Sequence, residues 1–533
     1  FINFAVFNVA DSFVCIGAGL MILYLIILTV KEYKAEKAAK LALAEGEEIP
    51  ESADAATDGA FAAEETTLEA EGDTDTIEER VEDTTEGETQ EAVTLPTITI
   101  PDPTDDRAPT DTAEYAERLD KLSEENLPAP AADFTYEITE EGVTVTGYNG
   151  GELILVIPDT IEDKPVTAIA ANAFKGKGNL KAILIPDSVK SIGKSAFEGC
   201  VSLTSMKTPV YACEDAPYFG ALFGAASHEA GGGYVPVSLS TLVLTGGDTI
   251  PDYAFYACRG LEAVSIPETV TEIGAFAFYA CQSLTYIATD HTPLTAVGER
   301  AFAGCAALLN LHLPATVTYM GSGMLEGCGK LESMTIPFVG GCTYDYPLTE
   351  EEKDAIEGGD AVHPAESTGY LGYLFGASHY TFTAGYLPAS LITVTVLEGC
   401  ETIPANAFFE CASIREVNLP EGVMEIGRRA FYGCDYLTAM TLPDSVTKIG
   451  DDAFHGCIRM QTFAGGAGLS DLGMQAFMNC VSLETVTLPD SVTKLPNSCF
   501  AGCLSLTTLT AEGVKTQGDR VFHKCDKLRG WEE

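Results

Sequence analysis

Basic residues are scarce in this chain. Lysine and arginine number 30 against 79 aspartates and glutamates, a formal charge of −49. That field repels phosphate, so nucleic acid and anionic membrane surfaces are poor partners for the soluble part. Tryptophan occurs once, at Trp531. Cysteine is plentiful at 16, yet no C-x-x-C pair occurs, which removes the zinc-knuckle spacing. Between residues 134 and 533 there is no catalytic triad, phosphate-cradling glycine loop or metal motif, so nothing there calls for a cofactor or a metal. At 533 residues a single compact core is excluded as well, although a repeat array can run this long.

What the chain does have is a period. The stretch from Leu437 to Cys457 (LTAMTLPDSVTKIGDDAFHGC) returns from Leu180 almost to the C-terminus. Its Ala-Phe anchor falls at Phe174, Phe197, Phe255, Phe278 and Phe302, then at Phe408, Phe431, Phe454, Phe477, Phe500 and Phe522, with Leu325 as a substitute. The step within unbroken runs is 23 residues, with single steps of 24 and 22. A fixed period in this range means a solenoid. Leu437, Met440 and Leu442 read as a short strand ended by Pro443, which has no N–H for a sheet ladder. Val446 and Ile449 turn inward on the next side, and Gly450 supplies a permissive corner. Ala453 and Phe454 begin a helical or 3₁₀ corner, with Phe454 as the large core residue. One unit cannot bury its own apolar residues, so neighbours stack and share a core. The fold class expected is an α+β repeat solenoid.

Eleven cysteines sit three residues after an anchor, from Cys200 to Cys525. A repeated position makes a ladder, in which thiols act as small buried groups bonded to turn backbone rather than as metal ligands or disulfides. Such a ladder fits a reducing compartment or an anaerobic source.

The pattern L-x-x-[VIM]-x-[IL]-P-x-x-V-x-x-[IL]-G-x-x-A-F-x-x-C is complete from Val486 to Cys503 in its core, and again from Ile183 to Cys200. It resembles the BspA-type leucine-rich repeat over about residues 134 to 530. The resemblance implies a curved right-handed solenoid with a strand-lined face, and no catalytic chemistry.

The first residue is Phe1, which reads as a processed chain or a fragment of a longer one. Phe13 to Val30 carry no charge over 18 residues, enough for a membrane-spanning helix across residues 12–30. The charged n-region and cleavage site of a signal peptide are missing. Asp11 stands at the mouth of this span, an expensive place for a carboxylate and by default a functional one. Phe7-Asn8-Val9-Ala10-Asp11-Ser12, followed by an apolar helix, resembles the last block of type II (lipoprotein) signal peptidase. The resemblance implies that Asp11 is one of two catalytic aspartates and Asn8 a supporting polar residue, with Phe7 and Ala10 shaping the site. An aspartic protease needs a second carboxylate close enough to share a proton. Every other aspartate lies far downstream of the span, so this chain cannot complete the dyad and only a longer parent would cleave prolipoproteins. The bland alternative is an interfacial aspartate flanking an anchor helix.

Lys31, Lys34, Lys37 and Lys40 follow the span and place that side in the cytoplasm, at a bacterial cell membrane. Exported location is the competing expectation from the repeats. From Glu45 to Glu91 there are nineteen acids and one base, Arg80, a composition that forms a disordered spacer. The expected organisation is 1–31 membrane segment, 32–132 acidic linker with a short helix at 111–126, and 133–533 solenoid. The solenoid opens on a hairpin, Phe134–Thr139 and Gly142–Gly147, which caps its exposed end. Two interruptions, about 206–245 and 335–397, share the pattern Tyr218-Phe-Gly-Ala-Leu-Phe-Gly and Tyr370-Leu-Gly-Tyr-Leu-Phe-Gly. Each reads as an excursion bulging from one face, with His228 and His379 in equivalent turns, structural rather than ligating. Trp531 is placed to cover the last coil. The functional expectation is a membrane-tethered module whose surface binds a protein or glycan ligand.

Overall fold

The computed structural model describes residues 126–289, 291–342 and 367–531. The chain divides into two units, Phe1–Leu95 and Pro96–Glu533, and every described residue belongs to the second. The expected membrane helix, Asp11 and Asn8, the acidic spacer, the helix expected from residue 111 and the tract 343–366 lie outside the described residues.

Each rung of the solenoid is built as Leu437–Cys457 shows. Ala439–Thr441 is the strand, pairing in parallel with Thr462–Ala464 of the next rung. Leu437, Met440 and Leu442 are buried while Ala439 and Thr441 face water, the alternation of a half-buried strand. The chain then turns at Pro443, with the Val446 N–H donating to the Pro443 carbonyl, and forms a two-residue strand at Lys448–Ile449 that pairs with Asp471–Leu472. The corner follows.

That corner is not a helix. Along it, N–H groups alternate between two destinations. Asp452, Phe454 and Gly456 donate to the next rung, at Met474, Ala476 and Met478, over 2.8–2.9 Å. Ala453, His455 and Cys457 donate back three residues within their own rung. The alternation requires left-handed backbone two residues before and two after the anchor, at Asp452 (φ 54) and Gly456 (φ 77). Left-handed residues at that spacing exclude a run of right-handed ones. Among the described residues α-helix is confined to His228–Gly231 and to residues 367–368, so the α+β expectation gives way to a strand-and-turn coil with short 3₁₀ pieces. Gly450 also differs from expectation. It lacks a positive φ; an added Cβ would lie 2.6 Å from the Arg428 backbone nitrogen, so glycine is needed where adjacent rungs approach.

The anchors form one aromatic column. Phe408, Phe431, Phe454, Phe477 and Phe500 lie 5.0–5.3 Å apart, centroid to centroid, and within 10° of parallel. Each is fully buried, contributing roughly 1.5–3 kcal/mol by transfer from water, and offset-stacked pairs add to this. Leu325 holds the column position between Phe302 and the second insertion, also buried. At the N-terminal end an antiparallel pair, Phe134–Ile138 with Val143–Tyr148, sets Phe134 on Tyr148 and Tyr148 on Phe174. At the other end Trp531 lies 5.5 Å from Phe522.

Among the described residues, each interruption supplies a rung of the coil. In the first, the 3₁₀ helix Phe219–Phe223 occupies the corner. Ser195 and Phe197 donate to its Ala221 and Leu222 carbonyls, and Phe219 donates onward to Ala254. Phe223 meets Phe197 and Phe219 meets Phe255, so two rings bridge the gap that one fills elsewhere. In the second, Leu371–Phe375 does the same, taking bonds from Gly323 and Leu325 and donating to Ala407. The long-strand ladder also runs through both, from Ser205–Thr208 to Thr241–Leu244 and from Ser333–Ile336 to Thr393–Val396. Only the short-strand ladder stops, ending at Ser191–Ile192 and resuming at Thr249–Ile250, then ending at Tyr319–Met320 and resuming at Thr402–Ile403.

Candidate binding surface

Three sets of side chains are fixed by this repetition. The first is the outer strand face. Thr462, Thr485 and Thr508 are in register on adjacent strands, as are Thr487 and Thr510, all with side chains on the solvent side. Further back, Thr393 pairs with Glu416 and Thr395 with Asn418. This face is polar and short-chained, able to offer repeated hydroxyls to a partner.

The second set is the cysteine ladder. Cys434, Cys457, Cys480 and Cys503 each donate their thiol to the carbonyl of the anchor one rung back, at Phe408, Phe431, Phe454 and Phe477, over 3.1–3.2 Å. Cys281, Cys305 and Cys328 do the same to Phe255, Phe278 and Phe302. The series is interrupted at Cys258 and Cys411, where the preceding corner is a 3₁₀ helix instead of a regular turn. All fifteen described cysteines are buried and none is in a disulfide. Burial pushes the Cys281 and Cys328 thiols up to about 12, and Cys200 up to about 11. A thiol held this way is a poor nucleophile and a poor metal ligand.

The third set is the corner edge. A groove of about 520 Å³ runs across successive rungs, lined among others by Arg429, Asp452, Gln475, Ser498 and Arg520. These are the left-handed residues two before each anchor, so their side chains form a column. Asp452 is nearly buried and lies 3.5 Å from Arg429 Nε. His455 Nδ1 lies 3.1 Å from Asp452 Oδ1, and His455 Nε2 lies 3.3 Å from the Asn479 amide nitrogen. With Nδ1 protonated toward Asp452, Nε2 accepts from Asn479, which occupies the lone pair that a general base would need. The arrangement orients side chains rather than moving protons.

Asp11 and Asn8, together with Phe7 and Ala10, lie outside the described residues. His228 and His379 sit in the matching places of the two insertions. His228 packs 4.2 Å from the Tyr253 ring, and His379 packs 4.2 Å from Tyr380 while its Nδ1 contacts the Thr381 hydroxyl at 2.9 Å. Among the described residues no group of three or more histidine, cysteine, aspartate or glutamate side chains could hold a metal ion. No helix among the described residues is long and apolar enough to cross a membrane. The edge groove and its aromatic neighbours are the surface that motif reading passed over. The signal was present: the residue after the anchor is Tyr256, Tyr279, Phe409, Tyr432 or His455 on five rungs.

Comparison with known proteins identifies the repeat. The sequence pattern of the BspA type leucine rich repeat region matches in 6 copies, over residues 162–214, 238–341 and 401–529, more than half of the chain. The chain belongs to this family. Among solved structures, a leucine-rich repeat protein from Bacteroides ovatus is 22% identical, over 75% of this chain and 81% of that one, with a TM-score of 0.29. A leucine rich cell surface protein from Faecalibacterium prausnitzii is 25% identical, over 73% of this chain and 96% of that one, with a TM-score of 0.31. No curated protein matches. The BspA-type chain thus combines a family core with two integrated 3₁₀ rungs.

Proposed function

We propose that this BspA-type solenoid is a recognition module that binds another protein, tethered to a bacterial membrane by residues 12–30. The observation that supports it most is the columnar surface. Parallel register carries each exposed position from rung to rung, so strand-face threonines and corner-edge side chains form long, regular arrays over a fully buried core. Repeat arrays of this kind present extended surfaces to partners. A glycan is the alternative ligand for the same surface. The organisation proposed is 1–31 membrane segment, 32–132 acidic linker and 133–533 solenoid. The four lysines after the span favour the cytoplasmic side for the repeats. Crosslinking in the source cells tests the reading: specific protein partners captured by the full chain support it, and capture at the level of a scrambled control sinks it.

A second reading rests on Phe7-Asn8-Val9-Ala10-Asp11-Ser12. In it, the longer parent is a type II signal peptidase-like aspartic endopeptidase, Asp11 supplies one carboxylate of the dyad, and the repeats are accessory. Reading the codons upstream of Phe1 is the first test, since three more membrane helices and a second membrane-edge aspartate are required. In such a parent, Asp11→Asn abolishes prolipoprotein cleavage at unchanged expression; retained cleavage removes the assignment.

A further inference from the structure

Beside the core column, the corner edge carries a second set of rings in two separate steps. In the first, Tyr256 stacks on Tyr279 at 4.9 Å and Tyr253 stacks on Phe276 at 5.1 Å, all four half-buried. His228 from the first insertion closes one end, 4.2 Å from Tyr253 and 5.6 Å from Tyr256. In the second, Phe409 stacks on Tyr432 at 5.0 Å, Tyr380 meets Phe409 edge-on at 5.1 Å, and His379 closes on Tyr380. The duplicated insertion therefore builds the same device twice.

Phe409 is buried, but the other rings of the two steps are only half-buried and stand beside a core column that is complete without them. Tyr253 and Phe276 moreover hold left-handed backbone, at φ 60 and 56, in the column where other rungs place asparagine, serine, aspartate, glutamine, arginine or glycine. The inter-rung bonds impose this conformation on the corner, so the two rings sit on a backbone that bulky residues adopt rarely.

Charge selects the ligand. Each step is already touched by one guanidinium of the chain: Arg300 lies 6.0 Å from the Phe276 ring and Arg429 lies 5.9 Å from Tyr432. A cation over these rings is thus a contact that the fold itself uses. Arg300 is held by Glu326 at 2.9 Å and Glu299 at 3.2 Å. Burial raises the Tyr256 phenol, and Tyr279 and the Glu229 carboxylate add to that rise. The chain as a whole is acidic, which favours a cationic partner over an anionic one.

We propose that the two aromatic steps dock one extended basic polypeptide segment, whose arginine or lysine side chains lie against the accessible parts of these half-buried rings. This rests on the reading of the solenoid as a protein-recognition module and names the chemistry of its partner. The backbone relay from Phe278 to Ala301, Phe302 to Met324, Leu325 to Leu374 and Leu371 to Ala407 separates the steps. At strand spacing that is about 20 Å, which an extended peptide covers in about six residues.

The test is fluorescence anisotropy with the full chain and labelled (Arg-Gly)5, (Arg-Gly)2 and (Glu-Gly)5 peptides. (Arg-Gly)5 binds and (Glu-Gly)5 does not. Replacing Tyr256 and Tyr279 together by leucine, or Tyr380 and Tyr432 together, raises the Kd roughly tenfold without changing net charge. Thr462→Ser with Thr485→Ser on the strand face leaves it unchanged. (Arg-Gly)2, too short to bridge the steps, binds at least tenfold more weakly. Equal binding by the ring variants means diffuse attraction to an acidic surface and overturns the proposal, as does preference for (Glu-Gly)5 or equal binding of the short peptide. Where a leucine pair lowers the melting temperature, Tyr256→Phe with Tyr279→Phe keeps the rings and must keep full binding; loss of binding there overturns it too. A partner captured by crosslinking whose binding survives the ring substitutions removes this inference alone, whereas capture of no partner removes the recognition reading itself.

Discussion

The thiol of Cys457 donates to the carbonyl oxygen of Phe431, 3.2 Å away and 26 residues back in the chain. The bond ties the corner of one rung to the anchor of the rung before it, and Cys480 repeats it on Phe454. A sulfur bond of this kind is weak, so its contribution lies in number and in fit: the Phe431 carbonyl already accepts from the Cys434 N–H, and the thiol takes up its second lone pair.

Reactivity follows from that placement. With every described thiol buried and out of disulfides, a thiol reagent at pH 8 should modify almost none of the repeat cysteines in the native protein and all of them in guanidinium. Mass spectrometry of the labelled peptides reads this directly. Fast native labelling of Cys434, Cys457 or Cys480 would contradict the ladder.

The same thiols give the solenoid an alkaline limit. Cys281 and Cys328 are raised from 9.0 to about 12 in the fold, chiefly by burial. A group whose folded pKa exceeds its unfolded value stabilises fully below the unfolded value, and that stability is lost as pH rises through the folded one. The melting temperature should therefore be insensitive to the cysteines up to about pH 8 and fall steeply from pH 9 toward 12. Tyr211, raised to about 12, acts in the same direction. A replacement of Cys281 and Cys328 by alanine should flatten this fall while lowering stability at pH 7. An unchanged slope would mean that other groups set it.

Corner glycines divide into two kinds that substitution separates. At Gly450 an added Cβ meets the Arg428 backbone at 2.6 Å, and backbone cannot move aside without shifting the rung. Gly450→Ala should cost about 1–3 kcal/mol, as overpacking does. Gly456 is left-handed at φ 77 with space around its Cβ, and the next rung places Asn479 at the equivalent position with φ 62. Gly456→Asn should therefore cost a few tenths of a kcal/mol, of the order by which asparagine and glycine differ in left-handed sites. Denaturant melts of the two variants test the ordering, and a reversed order would reject the distinction.

How much of this was legible depends on whether the signal was periodic. The anchor phenylalanines, the inward Val446 and Ile449 and the buried cysteines recur every rung, and position in the repeat sufficed to place them. The corner reads as helical or 3₁₀ because Asp-Asp-Ala-Phe-His-Gly carries ordinary helix propensities. Its left-handed turn at Asp452 comes from bonds to the next rung, which no single unit contains. The insertions were read as bulges because they break the count. Hydrogen bonding, not spacing, makes Phe219–Phe223 a rung, since its backbone takes bonds from Phe197 and gives one to Ala254. The edge rings Tyr256, Tyr279, Phe409 and Tyr432 were visible as residues, but only the register shows that they stack.

The aromatic column offers the sharpest test of the shared core. Phe454 is sandwiched between Phe431 and Phe477, and Phe463 meets it edge-on. Phe454→Ala removes a ring from a site with neighbours on both sides and should cost about 3–5 kcal/mol. Phe454→Leu, which copies the buried Leu325, should cost distinctly less, because the cavity it leaves is smaller. Phe522 differs, with Phe500 on one side and only Trp531 on the other. In a stacked array each rung is held by its neighbours, so Phe522→Ala should loosen the terminal rung while leaving the interior cooperative. Trp531 is the only tryptophan and reports this without a label. In Phe522→Ala its emission should shift toward that of water-exposed indole at lower denaturant than the loss of far-ultraviolet strand signal, whereas in Phe454→Ala the strand signal should move to lower denaturant as well. If Trp531 and the strands unfold together in Phe522→Ala, the end rung is not an independent unit, and the nearest-neighbour account of this solenoid fails at its C-terminal edge.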